Sequence, residues 1–317
     1  MGVVVIEARV LSKRFGSKVA VDGVSFCVRP GVVTGFLGPN GAGKSTTMRM
    51  IVGLDRPSSG SVTVNGRSYG SLRSPLREVG ALLEAKAAHP GRSAVNHLRA
   101  VAATGGIGLS RVREVVEMTG LGSVAKKRVK GFSLGMGQRL GIATALLGDP
   151  GTLILDEPIN GLDPEGVLWV RELLRALAGE GRTVMLSSHL MSEMQQTADH
   201  LIVVGRGRVL ADASMKDIVA RASRDAVRLR SPQAVEFSRT LTGPGVTVSS
   251  IDTTSLEVVG MTVENIAAAA AQAGVVLHEL TPVAASLEDA YFDLTNDEVE
   301  YRSTSTPTNT TSKAGAR

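Results

Sequence analysis

A glycine-rich stretch at residues 38–45, GPNGAGKS, carries the most specific chemical signal in the sequence. It lies between a predicted strand and a predicted helix. Glycines there let backbone N–H groups curl around phosphate oxygens, and the helix N-terminus adds its positive dipole end. Lys44 can then reach the β- and γ-phosphates, the Ser45 hydroxyl can ligate Mg²⁺, and Thr46 can contact an earlier phosphate. The stretch predicts a nucleotide-binding loop made of Gly38, Pro39, Asn40, Gly41, Ala42, Gly43, Lys44, Ser45 and Thr46.

Two adjacent acids follow a second apolar strand, in the segment LILDEP at residues 153–158. Asp156 stands at the end of that strand, where its carboxylate can hold Mg²⁺ directly or through water. Glu157 comes one residue later and can polarise an attacking water. Because adjacent acids are common on protein surfaces, the pair gains its meaning from the phosphate-binding loop upstream. Together the motifs predict hydrolysis of a nucleoside triphosphate, with Lys44 and Glu157 among the catalytic residues.

A third stretch, FSLGMGQR at residues 132–139, sets a serine beside flexible residues where a helical pattern begins. Ser133 is either an ordinary helix start or half of a nucleotide site that a second copy of the chain completes. A hydroxyl and free N–H groups at a helix N-terminus are what a γ-phosphate would need. These residues alone leave both interpretations open.

In this order the motifs resemble those of the nucleotide-binding subunit of an ABC transporter, over about residues 3–220. The resemblance implies ATP and Mg²⁺ as cofactors and a dimer of two copies, or of this chain with a related ATPase subunit. Residues 132–136 occupy the positions of the family's LSGGQ signature, with Leu and Met in place of the first Gly and the Gln. Ser133 and Gly135 are retained, which implies that they bind the ATP of the other subunit.

Four further roles come from the same resemblance. Phe15 matches the aromatic residue that stacks on adenine, Asp163 closes the match to the D-loop, and His189 matches the catalytic switch histidine that contacts the γ-phosphate. Glu84 stands where the family usually has Gln, and its charge is expected to couple metal occupancy to movement of a helical insert. The expected metal ligands are Ser45, Asp156 and Glu84.

The altered signature, Glu84 and the segment SLEDAYFDLT at 286–295 resemble the ATPase subunits of drug-resistance exporters of the daunorubicin and bacitracin type. The resemblance implies that ATP hydrolysis powers export of a drug-like or lipid-like substrate. The export path would lie in a separate transmembrane permease, contacted by the helical insert near Glu84. The chain itself would be cytoplasmic and peripheral at the cytoplasmic face of the membrane.

Two alternatives compete with this interpretation. A soluble ATPase of the same type could act on ribosomes or DNA, and the sequence pI of about 9.5 allows it. However, the chain carries one cassette, and no heptads separate Lys44 from Ser133, so no nucleic acid partner is expected. A regulatory module that binds ATP without hydrolysis is the other alternative, and the full set of catalytic residues counts against it.

Strands that alternate with helices must position these motifs. The pattern predicts an α/β fold with a mainly parallel sheet covered on both faces, preceded by an antiparallel N-terminal β subdomain. The resemblance implies that this is the P-loop NTPase fold of the ABC cassette, at residues 1–221 with a helical insert at about 86–148. A small α+β C-terminal domain is expected at 222–300, closed by an amphipathic helix. The Ser/Thr-rich tail at 301–317 should be disordered.

Composition sets the outer limits. The 317 residues are 43% hydrophobic, which permits a sizeable core, and the net charge of +5 suits a phosphate ligand, an anionic membrane face or nucleic acid. The single cysteine excludes a disulfide framework within the chain. No stretch reaches the roughly 20 apolar residues that span a bilayer, so we expect any membrane role to depend on a partner.

Overall fold

The computed structural model describes residues 5–84, 87–222, 226–283 and 286–295, and the predicted disordered tail lies outside these ranges. The strands are β1 (Ile6–Phe15), β2 (Lys18–Val28), β3 (Val33–Leu37), β4 (Ser59–Val64), β5 (Val79–Leu82), β6 (Thr152–Leu155), β7 (Thr183–Ser188), β8 (His200–Gly205), β9 (Arg208–Ser214), β10 (Ala226–Arg230), β11 (Thr247–Ser250), β12 (Ser255–Val259) and β13 (Glu279–Val283). The α-helices are α1 (Lys44–Ile51), α2 (Pro75–Glu78), α3 (Ala94–Thr104), α4 (Leu109–Met118), α5 (Leu134–Leu146), α6 (Pro164–Gly179), α7 (Met191–Thr197), α8 (Met215–Ala222), α9 (Ala234–Phe237), α10 (Val263–Ala273) and α11 (Leu287–Thr295). Short 3₁₀ turns lie at Tyr69–Ser71, Gly122–Val124 and Val129–Gly131.

A six-stranded sheet forms the centre of the first domain, in the order β5-β6-β7-β3-β8-β9. Its strands pair in parallel except for β9, which runs antiparallel to β8. Every residue of β3, β6 and β7 is buried, since helices cover both faces of a parallel sheet. The phosphate-binding loop follows β3, the acidic pair follows β6 and His189 follows β7, so the three motifs meet at the carboxyl edge of the sheet.

The N-terminal strands form a separate antiparallel sheet in the order β2-β1-β4. Its apolar side chains share one core with α1 and one face of the central sheet, including Ile6, Phe26 and Met48. This is the predicted antiparallel subdomain, and it places β1 and β2 beside the phosphate-binding loop.

The helical insert consists of α3, α4 and the start of α5. Leu98, Val115 and Leu140 are almost fully buried where these helices meet, in the same core as the other face of the central sheet. Arg139 extends this packing, because its guanidinium stacks 4.5 Å from the ring centroid of Trp169 on α6. The predicted mainly parallel α/β fold with an antiparallel subdomain and a helical insert is thus what the structure has.

The C-terminal strands make a four-stranded antiparallel sheet in the order β11-β12-β10-β13. With α9 and α10 it has the split β-α-β arrangement, in the element order that the sequence indicated. Its core is its own and includes Leu229, Phe237, Leu256 and Ile266. In the described ranges no helix is long and apolar enough to cross a bilayer.

Helix α11 differs from the expectation that it closes the C-terminal domain. Its buried residues Leu287, Ala290 and Tyr291 belong to the core of the first domain, where the helix packs against α7 and α8. The backbone N–H of Leu287 donates to Oε1 of Gln195 on α7 at 3.3 Å. The amphipathic pattern correctly indicated a buried face, but the surface that buries it lies in the other domain.

Candidate nucleotide-binding and catalytic site

The phosphate-binding loop is built on glycines that other residues could not replace. Gly43 caps α1 with φ +98°, and a Cβ there would lie 2.5 Å from the carbonyl oxygen of Ala20. A Cβ on Gly38 would overlap the carbonyl oxygen of Val204 on β8. Glycine tolerates both the left-handed backbone and the close approach. The loop is therefore held tightly between β2 and β8.

A cleft of about 380 Å³ opens at this loop. Phe15 stands at its mouth with 50% of its surface exposed and with the Lys13 Nζ 4.9 Å from its ring centroid. Of the residues predicted to form the phosphate-binding loop, Gly38 and Ala42 are buried and lie outside the lining. Those that line the cleft are Phe15, Pro39, Asn40, Gly41, Gly43, Lys44, Ser45 and Thr46, and Glu157 joins them.

Lys44 is the most buried charged group of the site, at 6% exposure. Its Nζ donates to the carbonyl oxygens of Gly38 at 2.7 Å and Pro39 at 3.3 Å, and it lies 3.7 Å from Oε1 of Glu157. Burial lowers the pKa of Lys44, while Glu157 and Asp156 oppose that shift. The ammonium thus has carbonyl partners in the loop that phosphate oxygens can replace.

Glu157 lies next to His189, where β6 and β7 end side by side. Nδ1 of His189 lies 2.9 Å from Oε2 of Glu157. The backbone of Glu157 is left-handed, with φ +49°, which is uncommon for a residue with a side chain. The carboxylate is therefore held between Lys44 and His189, next to the phosphate-binding loop.

Asp156 is oriented by Ser187, a residue that sequence reasoning missed. The Ser187 hydroxyl donates to Oδ1 of Asp156 and accepts the backbone N–H of Glu157 at 3.0 Å. The available signal was the pair of serines that ends β7. A second missed residue, Gln138 on α5, is buried and donates its amide N–H to the carbonyl oxygen of Glu157 at 2.8 Å.

Mg²⁺ would find hard oxygen donors here, in the Ser45 hydroxyl and the Asp156 carboxylate. Among the residues that the structure describes, no group of three or more His, Cys, Asp or Glu could hold a metal by itself. Mg²⁺ is usually bound by one or two protein oxygens together with phosphates and water. The donor set fits the ion.

Glu84 lies elsewhere. It lines a second cavity, of about 340 Å³, together with Arg49, Tyr69 and His97 of α3, and it is absent from the lining of the nucleotide cleft. The structure brings Ser45 and Glu157 into one cleft and leaves Glu84 outside it. The metal contact of Glu84 stays a prediction.

The signature segment also lies outside the cleft of its own chain. Ser133 caps α5 and accepts the backbone N–H of Met136 at 3.2 Å. Its hydroxyl is exposed, and so is the side chain of Leu134, at 45%. Gly135 follows in the first turn of the helix, and both interpretations of this stretch are compatible with a capped helix that points to solvent.

Residues 160–163, which match the family's D-loop, lie against Leu134 of the signature segment. Gly161 adopts φ +76°, and a Cβ there would overlap the side chain of Leu134. Asp163 caps α6 by accepting the N–H of Gly166 at 2.8 Å. It is exposed and, like Ser133, does not line the cleft.

A glycine loop at the end of a parallel strand, with a lysine in it and an acidic pair after the neighbouring strand, defines a P-loop nucleoside triphosphatase. The sequence profile of a family described as "ABC transporter" matches residues 21–160. A second profile, described as a domain of unknown function, matches residues 225–288.

Relatives and solved structures agree with that class. The lantibiotic transport ATP-binding protein SrtF of Streptococcus pyogenes is 39% identical over 202 residues, which are 64% of this chain and 87% of the relative. The bacitracin transport ATP-binding protein BcrA of Bacillus licheniformis is 42% identical over 211 residues, 66% of this chain and 69% of the relative. A structure of an ATP-binding subunit of an ABC transporter superposes with a TM-score of 0.63 and 26% identity, over 68% of this chain and 92% of that one.

A further structure shares the fold at 23% identity, with a TM-score of 0.61 over 66% of this chain and 98% of that one. It is the ATP-binding cassette MJ0796, described as dimeric in a post-hydrolysis state bound to ADP and Pi. This chain belongs to the ATP-binding proteins of ABC transporters, and it is an ATPase.

Proposed function

We propose that two copies of this chain, or this chain and a related subunit, close head to tail around two Mg-ATP and thereby power export through a separate permease. One observation carries the proposal. The chain holds Lys44 and Glu157 in one cleft and presents Ser133 and Gly135 outside it. A site that needs both halves is completed only by a second subunit.

The residues of each half have distinct roles in this proposal. Lys44 and the loop N–H groups bind the β- and γ-phosphates, and Phe15 stacks on adenine. Glu157, oriented by His189, accepts the proton of the attacking water. This is catalysis by positioning and charge neutralisation. Ser133 and Gly135 of the other subunit add a hydroxyl and helix N–H groups at the γ-phosphate.

Ser45 and Asp156 would hold Mg²⁺, which when bound neutralises phosphate charge. Ser187 keeps the Asp156 carboxylate in place for that role. Glu84 as a further ligand stays a prediction that would require movement of its segment toward the cleft.

The permease contact is assigned to the cavity that Glu84 lines. His97 belongs to the helical insert and Arg49 to α1, so the cavity spans the boundary between insert and core. A partner element seated there would sense movement of the insert when the dimer closes. In this proposal the chain works at the cytoplasmic face of the membrane, where ATP is available.

A drug-like or lipid-like export substrate is supported by the names of two relatives, which describe bacitracin and lantibiotic transport. The substrate path itself would lie in the permease.

The test is size-exclusion chromatography of a Glu157→Gln protein with and without Mg-ATP. Loss of the general base should trap the closed state, so we expect an ATP-dependent shift from monomer to dimer. Two further variants are matched at the helix cap, because Asp and Asn both cap helices well. Ser133→Asn in the Glu157→Gln background should retain much of the dimer, whereas Ser133→Asp should abolish it by repelling the γ-phosphate. A persistent monomer with ATP bound would contradict a dimer that this chain forms with itself.

A further inference from the structure

Gln138 is a buried amide that contacts the backbone of the catalytic loop. It lies on α5 at 4% exposure. Its Nε2 donates to the carbonyl oxygens of Glu157 at 2.8 Å and Asn160 at 3.2 Å. Because both partners are acceptors, only the NH₂ end of the amide can face them. The side chain is therefore a specific donor to the loop that follows β6.

The backbone of Glu157 is hydrogen-bonded on both sides of its Cα. Its N–H donates to the Ser187 hydroxyl on β7, and its carbonyl oxygen accepts from Gln138 on α5. Between these two contacts the backbone takes the left-handed conformation of φ +49°. Such a conformation persists in a residue with a side chain only where the surroundings determine it. The hydrogen bonds with Ser187 and Gln138 hold Glu157 in this left-handed conformation.

The other end of the Gln138 amide shows that an apolar residue would fit this place more easily. Oε1 is buried and has no hydrogen-bond partner among the described residues. An unsatisfied buried acceptor is unfavourable. A methionine would fill nearly the same volume without that cost. The oxygen end of the amide thus destabilises the fold, whereas the NH₂ end donates a hydrogen bond to the Glu157 carbonyl oxygen.

We propose that Gln138 is a positioning residue for Glu157, which fixes the backbone from which the general base reaches the attacking water. This rests on the proposed function, in which Glu157 is that base. The contact directs the carboxylate towards His189 and Lys44, which lie 2.9 and 3.7 Å from its two oxygens. Small misplacements of a reacting group have large effects on rate and little effect on binding elsewhere.

The test measures steady-state ATP hydrolysis by the full chain carrying Gln138→Met, which keeps the length of the side chain and removes the donor. We expect kcat to fall at least tenfold, with the KM for ATP within about threefold. Combined with Glu157→Gln, the substitution should leave the residual rate unchanged, because its effect acts through the lost carboxylate. That double variant should still dimerise with Mg-ATP, because the cap at Ser133 is intact.

Thr119→Val is the matched control. Thr119 is fully buried in the same insert, and its hydroxyl donates to the Val115 carbonyl at 2.7 Å, away from Glu157. The Thr119→Val variant also loses one buried hydrogen bond, but we expect its kcat to stay within about twofold of that of the unaltered chain. Gln138→Asn, which keeps the amide but shortens its reach, provides the same measurement if the methionine variant fails to fold, as judged by circular dichroism.

Three results would overturn the proposal: an unchanged kcat in a folded Gln138 variant, an equal loss in Thr119→Val, or a further loss in the Glu157→Gln background. Other results would show that the proposed function itself is wrong. In that case the unaltered chain would not hydrolyse ATP, or the Glu157→Gln variant alone would not dimerise. An unaltered chain without ATPase activity would overturn both.

Discussion

Nδ1 of His189 lies 2.9 Å from Oε2 of Glu157, although the two residues are 32 positions apart in the chain. Parallel pairing of β6 with β7 sets Leu155 opposite Leu186, so the residues that follow each strand emerge side by side. The sheet register, more than any local motif, therefore brings the histidine to the acid.

The contact predicts that His189→Ala lowers kcat about 100-fold, the lower range for a group that supports acid–base chemistry. ATP binding should persist, because Lys44 and the loop remain. The measurement is steady-state hydrolysis together with nucleotide binding by equilibrium dialysis.

His200 provides a matched control for that substitution. Its Nε2 lies 2.6 Å from Oδ1 of Asp212, a comparable histidine–carboxylate pair. However, it stands at the start of β8, at the opposite edge of the sheet from the motifs. His200→Ala should change kcat less than twofold, and a similar loss in both variants would argue against a specific role for His189.

The parts of the fold and site that the sequence predicts well are those set by local patterns. The residue types at 38–46 and in the acidic pair indicate phosphate and metal binding, and the apolar run before each motif indicates a strand. The α/β fold follows from the alternation of predicted strands and helices. The roles of Gln138 and Ser187 were missed, because each acts through a contact with a residue at least 19 positions away. Glu84 illustrates the same limit, since its position in a motif does not determine which cavity its loop faces.

The contact between the D-loop and the signature predicts a steric effect of Gly161→Ala. The methyl group would meet both a left-handed backbone and the Leu134 side chain. Gly181 has φ +89° and open space where a Cβ would be. Gly181→Ala is therefore destabilised only by the left-handed backbone conformation. We expect Gly161→Ala to lower the free energy of unfolding by about 1 kcal/mol more than Gly181→Ala in urea titrations.

Leu134→Ala separates the two contributions in Gly161→Ala. Truncating the leucine should remove most of the extra loss, since the overlap involves its branched end. If the double variant were as unstable as the sum of the single ones, the cause would lie in the backbone rather than in the contact.

Asp149 links two arginines and predicts a pH dependence of stability. Its Oδ1 accepts from Arg182 at 2.8 Å and Arg111 at 3.0 Å, and the hydrogen bond from Arg182 is the main cause that lowers the pKa of Asp149 below 3.8. A lowered folded-state pKa contributes stability fully above 3.8 and loses it as the pH falls through the lower value.

Asp149→Asn tests this contribution and suits the left-handed backbone, φ +54°, that asparagine tolerates. The Asp149 side chain is 58% exposed, so solvent screening limits the loss at pH 7 to about 0.5–1 kcal/mol in urea unfolding. The gap between the two proteins should stay constant from pH 7 to about pH 5 and narrow only near and below pH 4. If the difference in free energy of unfolding between the two proteins did not depend on pH, the loss would come from the change to an amide rather than from the loss of charge.

The docking of α11 on the first domain predicts that this helix stabilises the ATPase core. Leu287 is fully buried in that core, whereas Phe292 on the same helix is 58% exposed. Leu287→Ala should therefore lower the free energy of unfolding by about 2–4 kcal/mol, and Phe292→Ala by less than about 0.5 kcal/mol. The single tryptophan, Trp169, lies on α6 in the ATPase domain, so its fluorescence in urea reports the unfolding of that domain. Equal effects of the two substitutions would mean that α11 does not dock there in solution. A large effect of Leu287→Ala alone would mean that α11, which follows the C-terminal sheet in the chain, docks on the domain that binds ATP.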